Sequence, residues 1–400
     1  RALHLFLSEV AQGWRCARVR ASGTMNMFGD SSKMMSALNS AAGINTRKSN
    51  ISVSEEFKKF RSTYALRQLA VDLNDGEWRY FDGGPKNVPV LLCLPGASGT
   101  AETMFKIMLG LCPKGYRIIS AQHPPYYSIN EFVVGLDAFL DSVEAKEVHI
   151  FGASLGGFLA QQYCLHRPRR VSSLILCNSF WSTHPFAQTG GGYVTPMFQF
   201  TPGFVLKNMI LSSFDTDAAL VSPPPVADAL DFVSEQLETM YQGDLASRLT
   251  LNCTSLDCHG IRLEAEKITI IDSLDKIARP AELRDELYRR YPEAKQAHCR
   301  TGGDFPFISV GDEVNLYIEV HMRKVGVLVN KPQLDPSSAP SISNGSGAQD
   351  GSELSEGRTS KGLAAPAVSA PQAPPAAAPP SKKKEVNKVE HKPLFQDDVM

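Results

Sequence analysis

The chain has 400 residues, of which 43% are hydrophobic, and its formal net charge is −1 at pH 7. This charge gives no general reason to expect nucleic acid or a charged membrane surface as a partner. No apolar run approaches the ~20 residues of a membrane-spanning helix, so we expect a soluble protein. Eight cysteines lie scattered, several within apolar strands, which favours buried thiols in a reducing, cytoplasmic compartment over a disulfide framework.

Composition divides the chain into three parts. Residues 1–50 are rich in Ser, Ala, Arg and Met, and we interpret them as a disordered leader or a stretch wrongly assigned to the protein, with a transit-like peptide as the alternative. Residues 328–400 are rich in Pro, Ala and Ser, which predicts a disordered tail, because such a segment buries too little apolar surface to offset its ordering entropy. The folded domain is therefore predicted to span residues 51–327.

Within this domain, strand and helix patterns alternate. A hairpin around Asn74-Asp75-Gly76 is followed by apolar runs typical of parallel strands covered on both faces. The predicted strands are Leu69–Leu73, Glu77–Phe81, Val88–Leu94, Tyr116–Ser120, Val148–Phe151, Val171–Asn178, Lys267–Ile271 and Ala297–Arg300, and the predicted helices are Thr103–Leu111, Ile129–Val143, Phe158–His166, Ala281–Arg290 and Val314–Val320. This order predicts an α/β fold with a mostly parallel, doubly wound sheet.

The alternation stops over about residues 180–258. Glycine and proline triplets interrupt this region, and Ala227–Met240 has the apolar spacing of an amphipathic helix. An insertion at this point of an open α/β sheet lies over the carboxyl ends of the strands, where such sheets bind ligands. We therefore predict that residues 180–258 form a helical lid.

The segment Gly152-Ala153-Ser154-Leu155-Gly156-Gly157 connects a predicted strand to a predicted helix. This is the context of a G-x-S-x-G nucleophile elbow, in which a sharp turn raises the serine hydroxyl above the sheet. Gly152 and Gly156 would provide the room that the close strand and helix demand. The sequence therefore predicts Ser154 as the nucleophile position, with backbone N–H groups of Leu155 and Ala97 as oxyanion donors.

An elbow serine needs a carboxylate and a histidine to act as a nucleophile. Asp275 follows a predicted strand at the position of the orienting acid, with Asp272 as a competitor. The loop that would carry the histidine instead reads Thr301–Pro306 and offers Asp304. A carboxylate of pKa about 4 is a far weaker base than imidazole, so full triad catalysis is not expected.

Three histidines are candidates to replace the missing base. His298 lies six residues before Asp304 on a predicted strand, roughly 20 Å away along the extended chain, and reads as a strand residue. His123 and His184 lie in other loops and remain alternatives for a relocated base. Cys253 and Cys258-His259 lack a second ligand pair with metal-site spacing, so neither a metal nor a cofactor is predicted.

Five segments give the domain a specific resemblance. They are Phe151–Gln161, Ser173–Phe180, Leu245–Cys253, Thr301–Pro306 and Glu313–Tyr317. Through them the chain resembles the maspardin family of the α/β-hydrolase superfamily over about two-thirds of its length. The family's loop carries asparagine where this chain has Asp304, and that difference does not restore a histidine.

The resemblance implies an α/β-hydrolase fold and a non-catalytic, protein-binding role. It further implies a cytosolic protein associated peripherally with endosomal and trans-Golgi membranes, and binding to the cytoplasmic tail of a T-cell co-receptor. On this interpretation Ser154, Asp275 and Asp304 are vestiges of a catalytic site. A weak serine esterase or lipase, with Ser154 served by a relocated base, remains the alternative.

Overall fold

The computed structural model describes residues 49–71, 76–188, 195–214, 223–275, 279 and 281–329. The predicted leader and tail lie almost entirely outside these residues, as do Asn74-Asp75 of the hairpin turn and the glycine triplet of the lid.

The sheet has eight strands in the order β1-β2-β4-β3-β5-β6-β7-β8. The hairpin strand β2 pairs antiparallel with both β1 and β4. The strands β4, β3 and β5 to β8 run parallel to one another. Their bounds are β1 Arg67–Ala70, β2 Glu77–Gly83, β3 Val90–Leu94, β4 Arg117–Gln122, β5 Val148–Ala153, β6 Val171–Cys177, β7 Ile268–Ser273 and β8 Lys295–Cys299. The mostly parallel α/β sheet predicted from the alternating pattern is confirmed.

Nine longer helices lie among the described residues. Their bounds are α1 Glu55–Thr63, α2 Phe105–Leu111, α3 Ile129–Ser142, α4 Leu155–His166, α5 Gly203–Leu211, α6 Pro224–Glu238, α7 Gln242–Cys253, α8 Ala281–Arg290 and α9 Gly311–Lys324. Short turns of helix cover Ala101–Met104, Cys112–Lys114, His184–Phe186, Thr195–Phe200, Ala265–Lys267 and Pro306–Ser309. The last helix is twice as long as predicted, because the turns that extend it at both ends are mostly polar, with Asp312 and Glu313 in the first turn and Arg323 and Lys324 in the last.

Alternate residues of the central strands face two separate cores. Val90, Leu92 and Leu94 of β3 pack with α3, α4 and α8 on one side of the sheet. Leu91 and Cys93 face the other side, with α1, α2 and α9. This period-two division explains why β3 reads as a continuous apolar run: both of its faces are covered.

The lid region contains two differently anchored parts. Ala229, Phe232 and Val233 of α6 belong to the same core as α1 and α2, and Thr100 donates a 2.7 Å hydrogen bond to Gln236. Helices α5 and α7 instead meet in a smaller third core, to which Phe198 and, from α6, Leu237 also contribute. Thus α6 joins the main domain to this third core, and α7 reaches the main domain through Leu251.

Candidate active site and its missing base

Ser154 occupies the turn between β5 and α4 with φ 48° and ψ −119°. This conformation is rare for a residue with a side chain and is typical of strained functional sites. The turn is held because Ser154 N–H donates to the Cys177 carbonyl at 2.9 Å and the Ser179 hydroxyl donates to the Ser154 carbonyl at 2.9 Å. The structure therefore places Ser154 in the elbow geometry that the glycine spacing predicts.

The glycines beside Ser154 permit the close approach of strand and helix. A Cβ on Gly156 would lie 2.3 Å from the Leu94 carbonyl oxygen, and one on Gly152 would lie 2.4 Å from the Cα of Gly157. Real Cβ atoms do not approach backbone this closely, so any side chain at either position would displace the turn.

Ser154 opens into a cavity of about 200 Å³ between the sheet and the lid. Its polar lining residues include Ser154, Asn178, Arg279 and Asp304. The rest is mostly apolar and is lined by Phe180, Phe186, Met209, Ile210, Phe214, Val233, Leu249, Phe305 and Phe307. A cavity of this composition suits an apolar group that carries one polar end.

Backbone donors are available beside Ser154. Leu155 is the first residue of α4, where N–H groups have no partner within the helix. Ala97 lines the cavity, and its N–H makes no hydrogen bond with the described residues. Both groups therefore remain in the positions at which an oxyanion hole is built in this fold.

Arg248 of the lid fixes the loop that carries Ala97. Its guanidinium is fully buried, and Nη1 lies 3.1 Å from the Ala97 carbonyl oxygen and 2.5 Å from that of Gly99. Burial lowers the pKa of Arg248 to about 10, so the group stays charged at neutral pH. By holding the carbonyls of this loop, Arg248 fixes the direction of its N–H groups, a role that the sequence alone did not reveal.

Asp275, predicted as the orienting acid, lies just after β7 and binds the loop that follows β8. Its Oδ2 accepts hydrogen bonds of 2.9 Å from the N–H groups of Gly302 and Gly303. Its buried Oδ1 has no hydrogen-bond partner among the residues the structure describes. An unpaired buried carboxylate oxygen is costly, and a histidine side chain is one group that could supply the donor.

Asp272, the competing candidate, has a different role. It is completely buried, where it pairs with Arg279 at 2.8 Å and accepts a 2.6 Å hydrogen bond from the Tyr288 hydroxyl. Both carboxylate oxygens are therefore occupied by structural partners. The Arg279 guanidinium also contacts the Ser179 carbonyl and lines the cavity.

The loop after β8 is held against the elbow by Asn178. Its amide donates to the carbonyls of Gly303 and Asp304 at 2.9 and 3.3 Å, and its Oδ1 accepts from Ser273 N–H. Asp304 itself lines the Ser154 cavity. Ser154, Asp304 and Ala97 thus share one cavity, and the loop that carries Asp304 rests on the Asp275 carboxylate.

None of the alternative histidines lines this cavity. His123 is buried among Trp78, Tyr126 and Phe132, and burial lowers its pKa to about 3. His184 lies in the lid, with Nδ1 2.5 Å from the Ser255 hydroxyl. His298 is on β8, 3.2 Å from the Tyr288 hydroxyl. Within the described part of the chain, these histidines therefore have their partners outside the lining of the Ser154 cavity.

The cysteines near the lid show no arrangement for a metal. Cys258 is buried and lies 3.4 Å from the Gln162 amide. Within the described ranges, no group of three or more His, Cys, Asp or Glu side chains could hold an ion. Among the helices described, none is long and apolar enough to cross a bilayer.

Comparison with known proteins agrees with this architecture. Residues 89–256 match the family model described as the alpha/beta hydrolase fold. A hydrolase of known structure from Pseudomonas aeruginosa superposes with a TM-score of 0.54 at 17% identity, covering 66% of this chain and 98% of its own. At that identity the likeness concerns the fold alone.

The closer similarity is to maspardins. The chain is 42% identical to maspardin from Danio rerio over 279 residues, which cover 68% of this chain and 88% of the relative. It is 41% identical to maspardin from Homo sapiens over 276 residues, with the same coverage. The resemblance predicted from five short segments is therefore confirmed, and the chain belongs to the maspardin family within the α/β-hydrolase fold.

Proposed function

We propose that this protein is a non-catalytic member of the hydrolase fold that uses the Ser154 cavity to bind a ligand or a protein segment. The observation that carries the proposal is the cavity itself, which contains the elbow serine but no histidine among its described residues. A serine hydroxyl remains a poor nucleophile until an adjacent base takes its proton. Loss of one triad member commonly lowers kcat by several orders of magnitude, while the pocket keeps its binding capacity.

The apolar walls and the oxyanion loop support binding in the absence of catalysis. Arg248 and Asn178 still hold the loops on either side of Ser154. A ligand with an apolar chain and a carbonyl or carboxylate end would place its oxygen near the N–H groups of Ala97 and Leu155. An apolar side chain at the end of a peptide segment fits the same description.

The finer role rests on the family to which the chain belongs. We propose that it acts as an adaptor in endosomal or trans-Golgi trafficking or in receptor signalling, with a receptor cytoplasmic tail as partner. The tail of a T-cell co-receptor is the form of partner that the family resemblance implies. Calorimetric titration with a peptide of that tail tests this role, and no heat of binding at any peptide concentration up to about 1 mM would remove that partner.

The competing function is a weak serine esterase, favoured by the intact elbow and its free backbone donors. The two functions are separated by assaying wild type and Ser154→Ala on esters of short and long acyl chains at neutral pH. We expect equal background rates, because no base activates the hydroxyl. Turnover that disappears in Ser154→Ala, while the fold is retained, would establish the esterase and reject the proposal.

A further inference from the structure

A second polar cluster lies at the opposite, amino edge of the sheet. The Ser173 hydroxyl on β6 is completely buried, 2.7 Å from His149 Nδ1 on β5 and 2.7 Å from His321 Nε2 on α9. The other nitrogen of His321, Nδ1, lies 2.7 Å from the Thr269 hydroxyl on β7. Four side chains from four elements therefore form one continuous chain of hydrogen bonds.

Both histidines in this chain are neutral at pH 7. Burial is the largest cause of the shift in each, lowering the pKa of His149 to about 4 and that of His321 to about 3. The neighbouring Glu147 carboxylate opposes the shift of His149, whereas His149 and Lys324 add to that of His321. A neutral imidazole has one N–H donor and one acceptor nitrogen, so the position of each proton follows from its partners.

The hydrogen-bond partners fix the direction of donation along this series of side chains. His321 Nδ1 is the one hydrogen-bond partner of the Thr269 hydroxyl among the described residues, so Thr269 must donate to avoid a buried, unsatisfied O–H. His321 then carries its proton on Nε2 and donates to Ser173, whose hydroxyl donates to His149 Nδ1. His149 is left with its proton on Nε2, which has no protein partner among the described residues.

His149 forms part of the wall of a cavity of about 420 Å³ beside the first residues of β5 and β6. Arg169, Arg262 and Lys267 line it together with Glu147 and Glu264, so the cations outnumber the carboxylates. Lys267 pairs with Glu264 at 3.2 Å, and the Glu147 carboxylate accepts from the Ser172 hydroxyl. Arg169 and Arg262 are exposed and form no ion pair within the described part of the chain.

We propose that this cavity binds a phosphate monoester. Arg169 and Arg262 would supply the charge and the bidentate donors that phosphate oxygens favour, and His149 Nε2–H would supply a donor whose direction the Thr269–His321–Ser173 chain fixes. The volume falls in the range of small-molecule sites and exceeds what a bare phosphate needs, which leaves room for the organic group. The site lies across the sheet from Ser154 and is independent of the function proposed there.

The test uses the full chain and imidazole 15N–1H correlation spectra. We expect inorganic phosphate and inositol 1-phosphate to shift the His149 signals, with the monoester binding more tightly, and the spectrum to show His149 protonated at Nε2. Arg262→Gln removes one charge from an exposed position and should weaken binding about tenfold. Arg289→Gln, on an exposed helix position away from the cavity, should leave binding unchanged.

Ser173→Ala tests whether the Thr269–His321–Ser173 hydrogen bonds position the His149 Nε2–H donor. Without the hydroxyl, His149 Nδ1 loses its donor, so the Nε2–H tautomer should become less populated and the monoester should bind more weakly. The proposal is overturned if neither probe shifts the His149 signals up to about 10 mM, if Arg262→Gln binds as wild type does, or if His149 carries its proton on Nδ1.

The source of the phosphate is decided with vesicles. Phosphatidylcholine vesicles with and without phosphatidylinositol 4-phosphate are sedimented with wild type and with Arg262→Gln. Retention that requires the phosphorylated lipid and Arg262 identifies a lipid headgroup as the ligand. Binding of inositol 1-phosphate with no such retention identifies a soluble monoester, and both results support the site.

Discussion

Ser154 and Ser173 lie at opposite edges of the same parallel sheet, and each lacks what the other has. Ser154 stands on a strained turn, opens into a cavity and has backbone donors beside it, but none of the described residues that line this cavity is a histidine. Ser173 lies between two histidines at 2.7 Å, but it is completely buried. Access and backbone strain are thus found at one serine and imidazole partners at the other, whereas a serine nucleophile needs both an accessible hydroxyl and a base.

The two edges also differ in how fully their polar groups are paired. At the carboxyl edge, Asp275 Oδ1 lacks a partner among the described residues. At the amino edge, every ring nitrogen and hydroxyl of the chain from Thr269 to His149 Nδ1 is hydrogen-bonded. The first arrangement leaves a buried acceptor unpaired, whereas the second pairs every polar group between Thr269 and His149 Nδ1.

The largest expected effect comes from closing the space at the elbow. In Gly156→Ala the new methyl group would meet the Leu94 and Pro95 carbonyl oxygens at 2.3 and 2.5 Å, and we expect a loss of roughly 3 kcal/mol in the free energy of unfolding. Gly203→Ala is the matched control, since its methyl group would meet nothing closer than 3.6 Å. Urea denaturation of both variants measures the difference, and equal stabilities would contradict the close packing of the elbow.

The next effect concerns acid stability at the amino edge. Burial lowers the pKa of His149 from 6.5 to about 4, so between these values the unfolded chain binds a proton that the native protein does not. Stability contributed by His149 is therefore complete above pH 6.5 and is lost as the pH falls towards 4. His149→Asn keeps an acceptor for Ser173 without titrating, and it should reduce the loss over this range by about 3 kcal/mol.

Urea denaturation of wild type and His149→Asn at several pH values between 7 and 4 measures how the unfolding free energy of each protein changes with pH. A variant whose unfolding free energy falls as steeply as that of wild type would show that His149 is not kept neutral by burial.

Removing the Ser173 hydroxyl should destabilise the protein more modestly. In Ser173→Ala the facing nitrogens of His149 and His321 lose their shared partner, which costs about 1–3 kcal/mol for buried polar groups. Differential scanning calorimetry at pH 7 measures this loss. An unchanged melting temperature would mean that water replaces the hydroxyl and that the network is not closed.

The smallest effect has the opposite sign. Ser154 adopts a positive φ of 48°, a strained conformation that glycine tolerates, so Ser154→Gly should stabilise the protein by about 1 kcal/mol. Together with Ser173→Ala, this variant compares the two serines most directly, because we expect Ser154 to lower the stability of the protein and Ser173 to raise it. Calorimetry that finds Ser154→Gly less stable than wild type would contradict the strained elbow.

Much of the fold was predictable from local patterns. Local patterns predicted the strand, turn and helix around Ser154. The apolar runs of β3 and β5 are typical of buried strands, and the glycines beside Ser154 are the residues that the tight turn accommodates. The ends of the strands and helices were predicted less accurately. β8 begins at Lys295 rather than at Ala297, and the apolar pattern did not reveal this because its first two residues are polar and exposed.

The candidate site was predictable from the sequence only at positions where the backbone geometry permits one residue type. Asp272 lies at the end of β7 and Asp275 just after it. Nothing in their spacing shows that Arg279 and Tyr288 bind Asp272, whereas glycine N–H groups bind Asp275. Arg248 was missed because its partners lie about 150 positions away in the chain. The histidine network was missed for the same reason, since it joins β5, β6, β7 and α9 and has no sequence motif.

The most direct test of the central claim, that the elbow has lost its base and little else, is labelling of Ser154 with a fluorophosphonate probe in wild type, Ser154→Ala and Asp304→His. Mass spectrometry of the labelled peptide reports the modified residue. We predict no labelling of wild type and Ser154-dependent labelling of Asp304→His, in which the new imidazole can bridge Asp275 and Ser154. Strong labelling of wild type at Ser154 would contradict the account, because it would require a working base.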